Sequence, residues 1–415
     1  MVVTQAGSAI NRVPPPKNQQ ELEKMMAATL SQHILPEGAD PAQLERVLEI
    51  GQTIFFFEHS KTPGMTAAGI LINAPPEKVW DVIFDNANYP KFVPMNDGID
   101  VHPLWEGAYQ EDLHINIKLA FISYKMDYGL YSYRRPPLRQ DWSLAYGEFD
   151  SNMGFWELIP TPDKKKTMAF NALYTQPRSR LLKSLYSTEP SLEMMTNVST
   201  AVMLGQAIKK ETERRQGVKP GTAAQKSQID PAKILEADPK TMLLLLERGN
   251  MVILSDGPTV YAIAGGIVNV TPAKAYSVIT DFKSYPEFVP GVKKVQLVSS
   301  TKSGDTYKWD LEYDLAFLKY TDTQEWQYRF SEPDYVSWQI ARPCCGPAPG
   351  FWKLIPRDNK TIFFYGTTGD IRSLGSLPKY AMKVEPTLEY AAFTSESLLV
   401  INSMKKRIQE KALPR

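Results

Sequence analysis

The chain repeats itself, and this repeat constrains the fold more than any other feature of the sequence. Segment 73–94 reads NAPPEKVWDVIFDNANYPKFVP and segment 269–290 reads NVTPAKAYSVITDFKSYPEFVP, so that Tyr89 corresponds to Tyr285, 196 residues later. The same spacing aligns GFWELIP at 154–160 with GFWKLIP at 350–356. Chance matches do not hold one register over so long a stretch. The sequence therefore predicts two copies of one structural plan.

The limits of the copies follow from the same alignment. Upstream the offset becomes 198 residues, because Ala39-Asp40-Pro41 matches Ala237-Asp238-Pro239. We therefore assign the copies to residues 39–215 and 237–412. Residues 216–236 contain the polar, glycine-bearing stretch QGVKPGTAAQKSQ and are predicted to be a linker. Residues 1–38 are predicted to form a tail, disordered over 1–19, with a short helix over 21–33.

Each copy is predicted to begin and end with a helix. The Asp-Pro pair places an N-cap before a proline at the first helical position. A long helix, over Ser191–Arg214 in the first copy and Thr387–Lys411 in the second, closes each copy. Basic residues at the end of these helices suit the helix dipole.

Between these helices the apolar pattern has period two. Leu113, Ile115, Ile117 and Leu119 alternate with polar residues, as do Trp309, Leu311, Tyr313 and Leu315 in the second copy. This alternation predicts antiparallel strands with one apolar face. The predicted fold class is α+β, with a curved antiparallel sheet wrapped around one long C-terminal helix in each copy.

Composition excludes several classes of protein. The chain has 47 basic and 46 acidic residues, so no global field attracts nucleic acid or an anionic surface. No apolar run approaches the roughly 18 residues of a transmembrane helix. No secretory signal is visible at the N-terminus. A cytoplasmic protein is expected, and transient membrane contact is compatible with it.

Histidine and cysteine are distributed unequally between the copies. The four histidines, at 33, 59, 102 and 114, lie in or before the first copy, whereas Cys344 and Cys345 lie in the second. Chemistry common to both copies therefore uses neither residue type. This argues against a metal cluster and against a Ser-His-Asp nucleophile. No phosphate-binding glycine motif is present, and no cofactor is expected.

The paired motifs resemble those of a known superfamily. An Ala/Val-x-Pro-x-Lys segment, a Tyr-Pro-x-Phe-Val-Pro segment and a later Gly-Phe-Trp-x-Leu-Ile-Pro resemble the START-like superfamily, which includes polyketide cyclases and coenzyme-Q-binding proteins. The resemblance implies a helix-grip fold with an internal hydrophobic cavity. It also implies a ligand among lipids, sterols, quinones and polyketides, and some members are aromatase/cyclases. This chain departs from the simplest members in being a tandem with an N-terminal extension.

Candidate ligand contacts are the residues predicted to face each cavity. The paired tryptophans can line a cavity or fill the core. The polar pairs Tyr128/Gln324 and Tyr146/Arg342 differ between the copies, which predicts either different ligands or one filled cavity. The full set is Ile115, Ile117, Leu119, Tyr128, Leu130, Trp142, Tyr146, Trp156, Met195 and Val202 in the first copy, and Leu311, Tyr313, Leu315, Gln324, Trp326, Trp338, Arg342, Trp352 and Leu398 in the second.

Three functions fit these features. The first is binding or transport of a hydrophobic, lipid-like small molecule, which we rank first because the copies share no catalytic residues. The second is a polyketide aromatase/cyclase that holds a poly-β-ketone in a productive conformation. The third is a structural or interaction module with closed cavities. A nucleic acid partner is not expected for any of them.

Overall fold

A computed structural model describes residues 10–57, 64–119, 122–178, 183, 190–218, 235–255, 260–315, 318–340, 349–369, 379, 383 and 387–412. The chain divides into two compact units. Unit 1 comprises Met1–Thr222 with Lys383–Leu388, and unit 2 comprises Ala223–Met382 with Glu389–Arg415. Each unit contains an antiparallel sheet and a long helix that packs on one face of it.

Unit 1 contains short helices around its sheet. Its helices are α1 (Gln19–Met25), α2 (Ala27–Leu30), α3 (Pro41–Ile50), α4 (Pro76–Ile83), α5 (Tyr89–Phe92) and the long α6 (Pro190–Arg215). Its strands are β1 (Asn11–Arg12), β2 (Gln52–Phe57), β3 (Met65–Ile72), β4 (Asn96–Trp105), β5 (Ala108–Leu119), β6 (Ile122–Arg135), β7 (Arg139–Gly147), β8 (Phe149–Pro160) and β9 (Thr167–Pro177). Antiparallel pairing gives the order β2, β3, β9, β8, β7, β6, β5, β4, and β1 pairs with the end of β7.

Unit 2 repeats this plan. Its helices are α7 (Pro239–Leu246), α8 (Pro272–Ile279) and the long α9 (Thr387–Ala412). Its strands are β10 (Gly249–Ser255), β11 (Tyr261–Val268), β12 (Val292–Thr301), β13 (Gly304–Leu315), β14 (Leu318–Ser331), β15 (Tyr335–Ile340), β16 (Gly350–Arg357) and β17 (Lys360–Thr368). The order β10, β11, β17, β16, β15, β14, β13, β12 matches that of unit 1. The α+β plan expected from the sequence is confirmed.

The Asp-Pro pairs begin helices as predicted. The Asp40 carboxylate accepts a hydrogen bond from the Ala42 amide at 2.9 Å, and Asp238 caps α7 by accepting from the Lys240 amide at 2.9 Å. These bonds satisfy amide groups that the first helical turn leaves without a partner. The same two-residue signal therefore starts the first helix of each repeat.

The sheet of unit 1 has an inner face, which packs on α6. Gln52 Nε2 donates to the Val202 carbonyl at 3.5 Å, and Thr175 hydrogen-bonds to Asn197 at 2.6 Å. A Cβ at Gly205 of α6 would approach Gln52 Nε2 to 3.2 Å, so the helix backbone lies close to the strands. We call the face that carries Gln52 and Thr175 the inner face, and the opposite one the outer face.

The outer face of unit 1 is covered by the N-terminal extension. Leu22 of α1 and Met26, both buried, pack on Ala108, Tyr131 and Ala145. Residues 1–19 were expected to form a disordered tail, but within the described residues β1 pairs with β7 and α1 begins at residue 19. The reason is that this part of the outer face is apolar, and its exposure to water would be unfavourable.

The glycine of the GFW motif makes space for a tryptophan on the neighbouring strand. Gly154 is paired with Trp142, and a Cβ on Gly154 would lie 2.2 Å from Trp142 Cζ2. Gly350 and Trp338 repeat this arrangement in unit 2, again with 2.2 Å to Cζ2. In both units the GFW motif therefore begins with glycine because a tryptophan ring of the neighbouring strand occupies the space that a side chain would need.

The aromatic residues of the YPxFVP segments pack against each other in both units. The rings of Tyr89 and Phe92 lie 5.3 Å apart, as do those of Tyr285 and Phe288. The Tyr285 hydroxyl donates to the Ile279 carbonyl at 2.7 Å. Both tyrosines are buried, so the segment anchors the turn that follows α4 or α8.

Candidate ligand-binding site

A group of polar side chains surrounds a carboxylate on the inner face of unit 1. Glu111 Oε1 accepts hydrogen bonds from Ser132 Oγ at 2.7 Å, from Gln140 Nε2 at 3.1 Å and from Arg134 Nη2 at 2.6 Å. Three neighbouring strands supply these residues, since β5, β6 and β7 lie side by side. We call Glu111, Ser132, Arg134 and Gln140 the polar cluster. It is a charged group set into an apolar sheet face, which is a common design of ligand sites.

The guanidinium of Arg134 is held between two aromatic rings. Its Cζ lies 4.2 Å from the ring centroid of Phe84 and 4.2 Å from that of Tyr109. The side chains of Arg134 and Glu111 are 13% and 10% exposed. Cation–π contact and ion pairing together offset the cost of removing these charges from water. The pair is thereby fixed in position rather than free to reorient.

Two tyrosines lie close to this carboxylate. Burial raises the pKa of Tyr89 and of Tyr128 well above the usual value, and the negative charge of Glu111 raises both further. Both phenols are therefore neutral at physiological pH and can donate hydrogen bonds. Asn171, fully buried and paired with Trp156, has no hydrogen-bond partner for either amide atom among the described residues. Its amide can still offer a donor and an acceptor.

Unit 2 has aromatic and apolar residues where unit 1 has the polar cluster. The repeat spacing and the strand registers place Tyr307, Tyr328, Phe330 and Val336 at the positions of Glu111, Ser132, Arg134 and Gln140. The rings of Trp309 and Trp326 stack at 5.0 Å, Trp326 and Trp338 at 5.9 Å, and Trp338 and Tyr365 at 5.6 Å. The two inner faces therefore differ in chemistry although they share one fold.

Most of the predicted contacts in unit 1 lie on its inner face. Tyr128, Leu130, Trp142 and Trp156 are there, and Val202 of α6 packs against this face. Trp142 donates from Nε1 to Asn152 Oδ1 at 3.2 Å, so its polar edge is already satisfied. Ile115 follows in the same alternation on β5. The side chains of Ile117, Leu119 and Met195 lie outside the described residues.

Tyr146 lies on the outer face, contrary to the prediction. A β-bulge places Leu144 opposite Leu130 but Tyr146 opposite Gly129. Ala145, which lies between them on β7, is therefore an extra residue with no counterpart on β6. The extra residue inverts the alternation beyond it. Tyr146 consequently lies beside Asp112, on the side of the sheet that faces away from α6.

The predicted contacts in unit 2 are distributed in a similar way. Trp326, Trp338 and Trp352 belong to the aromatic group of the inner face. Leu311 and Gln324 lie on the neighbouring strands β13 and β14, where Leu311 pairs with Asp322 and Gln324 pairs with Trp309. Leu398 is buried on α9. The side chains of Tyr313 and Leu315 and the whole of Arg342 lie outside the described residues, as do both cysteines.

The polar cluster was not among the predicted contacts. The alternation that identified Leu113 and Ile115 continues upstream to Glu111, so the period-two pattern could have placed this carboxylate on the inner face. Because Glu111 is charged, it interrupts the apolar character of this alternation although it lies on the same face. The matching residue of the second repeat is Tyr307, a residue type common on buried strand faces, and this match also indicates that position 111 faces inward.

A protein-family model matches both repeats of the chain. The model described as "Polyketide cyclase / dehydrase and lipid transport" matches residues 72–188 and again residues 268–389, which together are more than half of the chain. The chain belongs to this polyketide cyclase and lipid transport family. Membership of the family extends to both repeats, and the START-like, helix-grip assignment made from the motifs is confirmed. No curated protein matches the chain.

Solved structures similar to this polyketide cyclase and lipid transport family member match either most of the chain or a little more than a third of it. The di-domain ARO/CYC StfQ from the steffimycin biosynthetic pathway is 13% identical, with 83% of this chain and 99% of that chain covered and a TM-score of 0.30. The Zhui aromatase/cyclase from Streptomyces sp. R1128 is 14% identical, covering 37% and 96%, with a TM-score of 0.32. Human STARD10 is 13% identical, covering 39% and 70%, with a TM-score of 0.30.

Among the described residues of this family member, no group of three or more His, Cys, Asp or Glu side chains is arranged to hold a metal ion. In the same part of the chain, no helix combines the length and apolar character needed to cross a bilayer.

Proposed function

We propose that the chain binds a hydrophobic, lipid-like small molecule and that unit 1 holds it against its inner face. The observation that carries this proposal is the polar cluster, a hydrogen-bonded ion pair set among apolar and aromatic side chains. Such pockets bind the apolar body of a ligand through their walls and orient it through a few fixed polar groups. Lipids, sterols, quinones and polyketides all combine an apolar body with one or a few oxygen atoms.

Three buried groups of unit 1 would contact the polar end of the ligand. The amide of Asn171 has unsatisfied hydrogen-bonding capacity among the described residues. The hydroxyl groups of Tyr89 and Tyr128 remain protonated because burial raises their pKa. A ligand oxygen would accept from these donors without displacing Arg134 from Glu111. Binding would also relieve the cost of leaving a buried amide without a partner.

Unit 2 is proposed to bind a different ligand from unit 1, or none. Its inner face replaces the ion pair with stacked rings, so it offers few groups to a polar headgroup. Stacked indoles favour flat apolar surfaces. This difference makes unit 2 a natural internal comparison for experiments on unit 1.

The proposal is tested by filling the inner face of unit 1. At position 130 unit 1 has leucine where unit 2 has Trp326, so Leu130→Trp introduces the larger residue that the repeat itself accepts. The full chain is purified, its bound lipids are extracted and identified by mass spectrometry, and rebinding is measured with the identified lipid. We expect Leu130→Trp to reduce rebinding to unit 1 strongly, because the added ring occupies the volume of the ligand.

The matched control is Trp326→Leu, the reverse exchange at the equivalent position of unit 2. It should leave rebinding to unit 1 unchanged. The proposal fails if no apolar molecule copurifies or rebinds, or if Leu130→Trp binds as well as the wild type although it is folded by circular dichroism.

A second candidate function is that of an aromatase/cyclase. The family description names polyketide cyclases, and the neutral phenols of Tyr89 and Tyr128 would position a poly-β-ketone by donating hydrogen bonds to its carbonyl oxygens. The test is product analysis with a model poly-β-ketone. A cyclase should direct the ring pattern in a way that Tyr128→Phe changes, whereas a carrier should leave the spontaneous product mixture unaltered.

A third candidate, a structural or interaction module with closed interiors, is favoured only by the aromatic inner face of unit 2. It predicts that no apolar ligand raises the melting temperature of the chain. Saturating binding of any lipid to either unit would count against it.

A further inference from the structure

A pocket lies on the outer face of unit 1, on the opposite side of the sheet from the polar cluster. Its volume is about 590 Å³, which is enough for a small organic molecule. The N-terminal segment forms one side of it and strands β5, β6 and β7 form the other. Its lining includes Arg12, Pro14, Pro15, Asp112, Tyr131 and Tyr146.

One wall carries a cation that has no anionic partner among the residues the structure describes. Arg12 is exposed, and its Cζ lies 5.9 Å from the ring centroid of Tyr146. Within the part of the chain that the structure describes, its guanidinium makes no hydrogen bond and no ion pair. Arginine presents planar N–H groups that fit a carboxylate in a bidentate manner. Arg12 is therefore available for an anionic group of a ligand.

The floor carries an anion. The Asp112 side chain is 18% exposed, accepts from Gln110 Nε2 at 2.9 Å, and lies 3.3 Å from His102 Nε2. Burial and the neighbouring Asp112 carboxylate raise the pKa of Tyr146 to about 12, so the phenol beside it is neutral. A carboxylate has about four acceptor positions, and Asp112 can accept from a ligand in addition to its protein partners.

The remaining surface is apolar and aromatic. Pro14 and Pro15 have no N–H groups, so they present rings to the pocket and no backbone donors. The Tyr131 hydroxyl donates to the Val13 carbonyl at 3.1 Å, which holds the N-terminal segment over the sheet. The Tyr131 and Tyr146 rings complete walls against which an aromatic ring would pack.

We propose that this pocket binds an aromatic α-amino acid. Arg12 and Asp112 line the same pocket with opposite charges, yet they do not pair with each other. A molecule that carries a carboxylate and an ammonium satisfies both, the carboxylate at Arg12 and the ammonium at Asp112. Its aromatic ring packs against the tyrosine and proline rings. The site is independent of the proposed function, because it lies on the other face of the sheet and uses different residues.

Unit 2 contains no equivalent arrangement among its described residues. The position of Tyr131 is occupied by Gln327 and that of Gln110 by Thr306, and Arg12 precedes the first repeat. The N-terminal extension, through β1 and its pairing with β7, brings Arg12 over this part of the outer face of unit 1. The pocket is thus a property of the extension together with unit 1.

The test is isothermal titration of the full chain with three probes of similar size. L-Phenylalanine carries both charges, phenylacetate carries only the carboxylate, and phenethylamine carries only the ammonium. We expect L-phenylalanine to bind roughly tenfold or more tightly than either of the others, since each loses one charge-assisted hydrogen-bonding interaction. Arg12→Gln should weaken binding of L-phenylalanine and phenylacetate by a similar factor and leave phenethylamine unaffected.

Two control variants keep the result specific. Arg46→Gln removes an exposed arginine of α3 in the same unit and should change nothing. Leu130→Trp, which fills the inner face, should not alter binding of L-phenylalanine. The proposal is overturned if L-phenylalanine does not bind, if phenethylamine binds equally well, or if Arg12→Gln and Arg46→Gln have the same effect. Arg12 is exposed, so its replacement does not put folding at risk.

Discussion

Arg134 donates two hydrogen bonds to the same oxygen of Glu111, from Nε at 3.1 Å and from Nη2 at 2.6 Å. The two residues lie on neighbouring strands of the inner face of unit 1. At the same two positions unit 2 carries Phe330 and Tyr307. The two units therefore share one backbone plan, although the inner face of unit 1 carries an ion pair and that of unit 2 carries aromatic rings at these positions.

Arg134→Met should destabilise unit 1 substantially. It leaves Glu111 largely buried without its cation, and breaking a buried ion pair in this way costs about 3–5 kcal/mol. Urea denaturation followed by far-ultraviolet circular dichroism measures the loss. The double replacement Glu111→Leu with Arg134→Met should regain most of it, because no charge is then left unpaired. Equal losses in the single and double variants would contradict this explanation. The control is Arg329→Met, which replaces an exposed arginine of β14 and should change the free energy of unfolding by less than about 0.5 kcal/mol.

Gly154→Ala should also be strongly destabilising, because the new Cβ would lie 2.2 Å from Trp142 Cζ2 and 2.2 Å from the Ala172 carbonyl oxygen. Overpacking of this kind costs about 1–3 kcal/mol or more. Gly98→Ala is the matched control, since its Cβ would approach nothing closer than His114 Cδ2 at 3.7 Å. The melting temperatures of the two variants provide the comparison. Similar melting temperatures for the two variants would show that contact with Trp142 is not the reason for glycine at position 154.

Leu22→Ala tests whether the N-terminal extension is part of unit 1. Leu22 is fully buried against the outer face, so its truncation should cost about 2–4 kcal/mol. Glu23→Ala, on the exposed side of the same helix, should have almost no effect. Chemical denaturation of both variants gives the difference. If Leu22→Ala were as stable as Glu23→Ala, α1 would not be docked on the sheet.

His114 should titrate above pH 6.5. Its ring is hydrogen-bonded to Asp127 at 2.8 Å and to Asp100 at 3.1 Å, and these two bonds raise its pKa. Because the folded pKa is raised, the stabilisation is complete below the unfolded value of about 6.5 and is lost as the pH rises through the folded pKa. Nuclear magnetic resonance titration measures the pKa directly.

The control for this titration removes the carboxylates. Asp100→Asn combined with Asp127→Asn should return the His114 pKa towards its ordinary value. The stability difference between wild type and His114→Gln should shrink from pH 5 to pH 9. A difference that stays constant over this range would exclude the ion pairs as its cause.

The secondary structure was predictable where one physical signal dominated. Asp40 with Pro41 marked a helix start through capping, and the alternation from Leu113 onward marked a strand with one apolar face. The strand Asn96–Trp105 was not predicted, because it is an edge strand that contains Gly98 and Pro103 and lacks an apolar alternation. The division of the extension into α1 and α2 was also not foreseen.

The sequence by itself determined the duplication, the α+β class and the faces of the regular strands, because these depend on repeat spacing and on local periodicity. Only the tertiary structure decided that Tyr146 lies on the outer face, since a bulge adds one residue and inverts the alternation after it. It also brought Glu111, Ser132, Arg134 and Gln140 together from three strands, and placed Arg12 and Asp112 in the lining of one pocket. Such groupings depend on the register between distant segments, which strand pairing sets and no local pattern encodes.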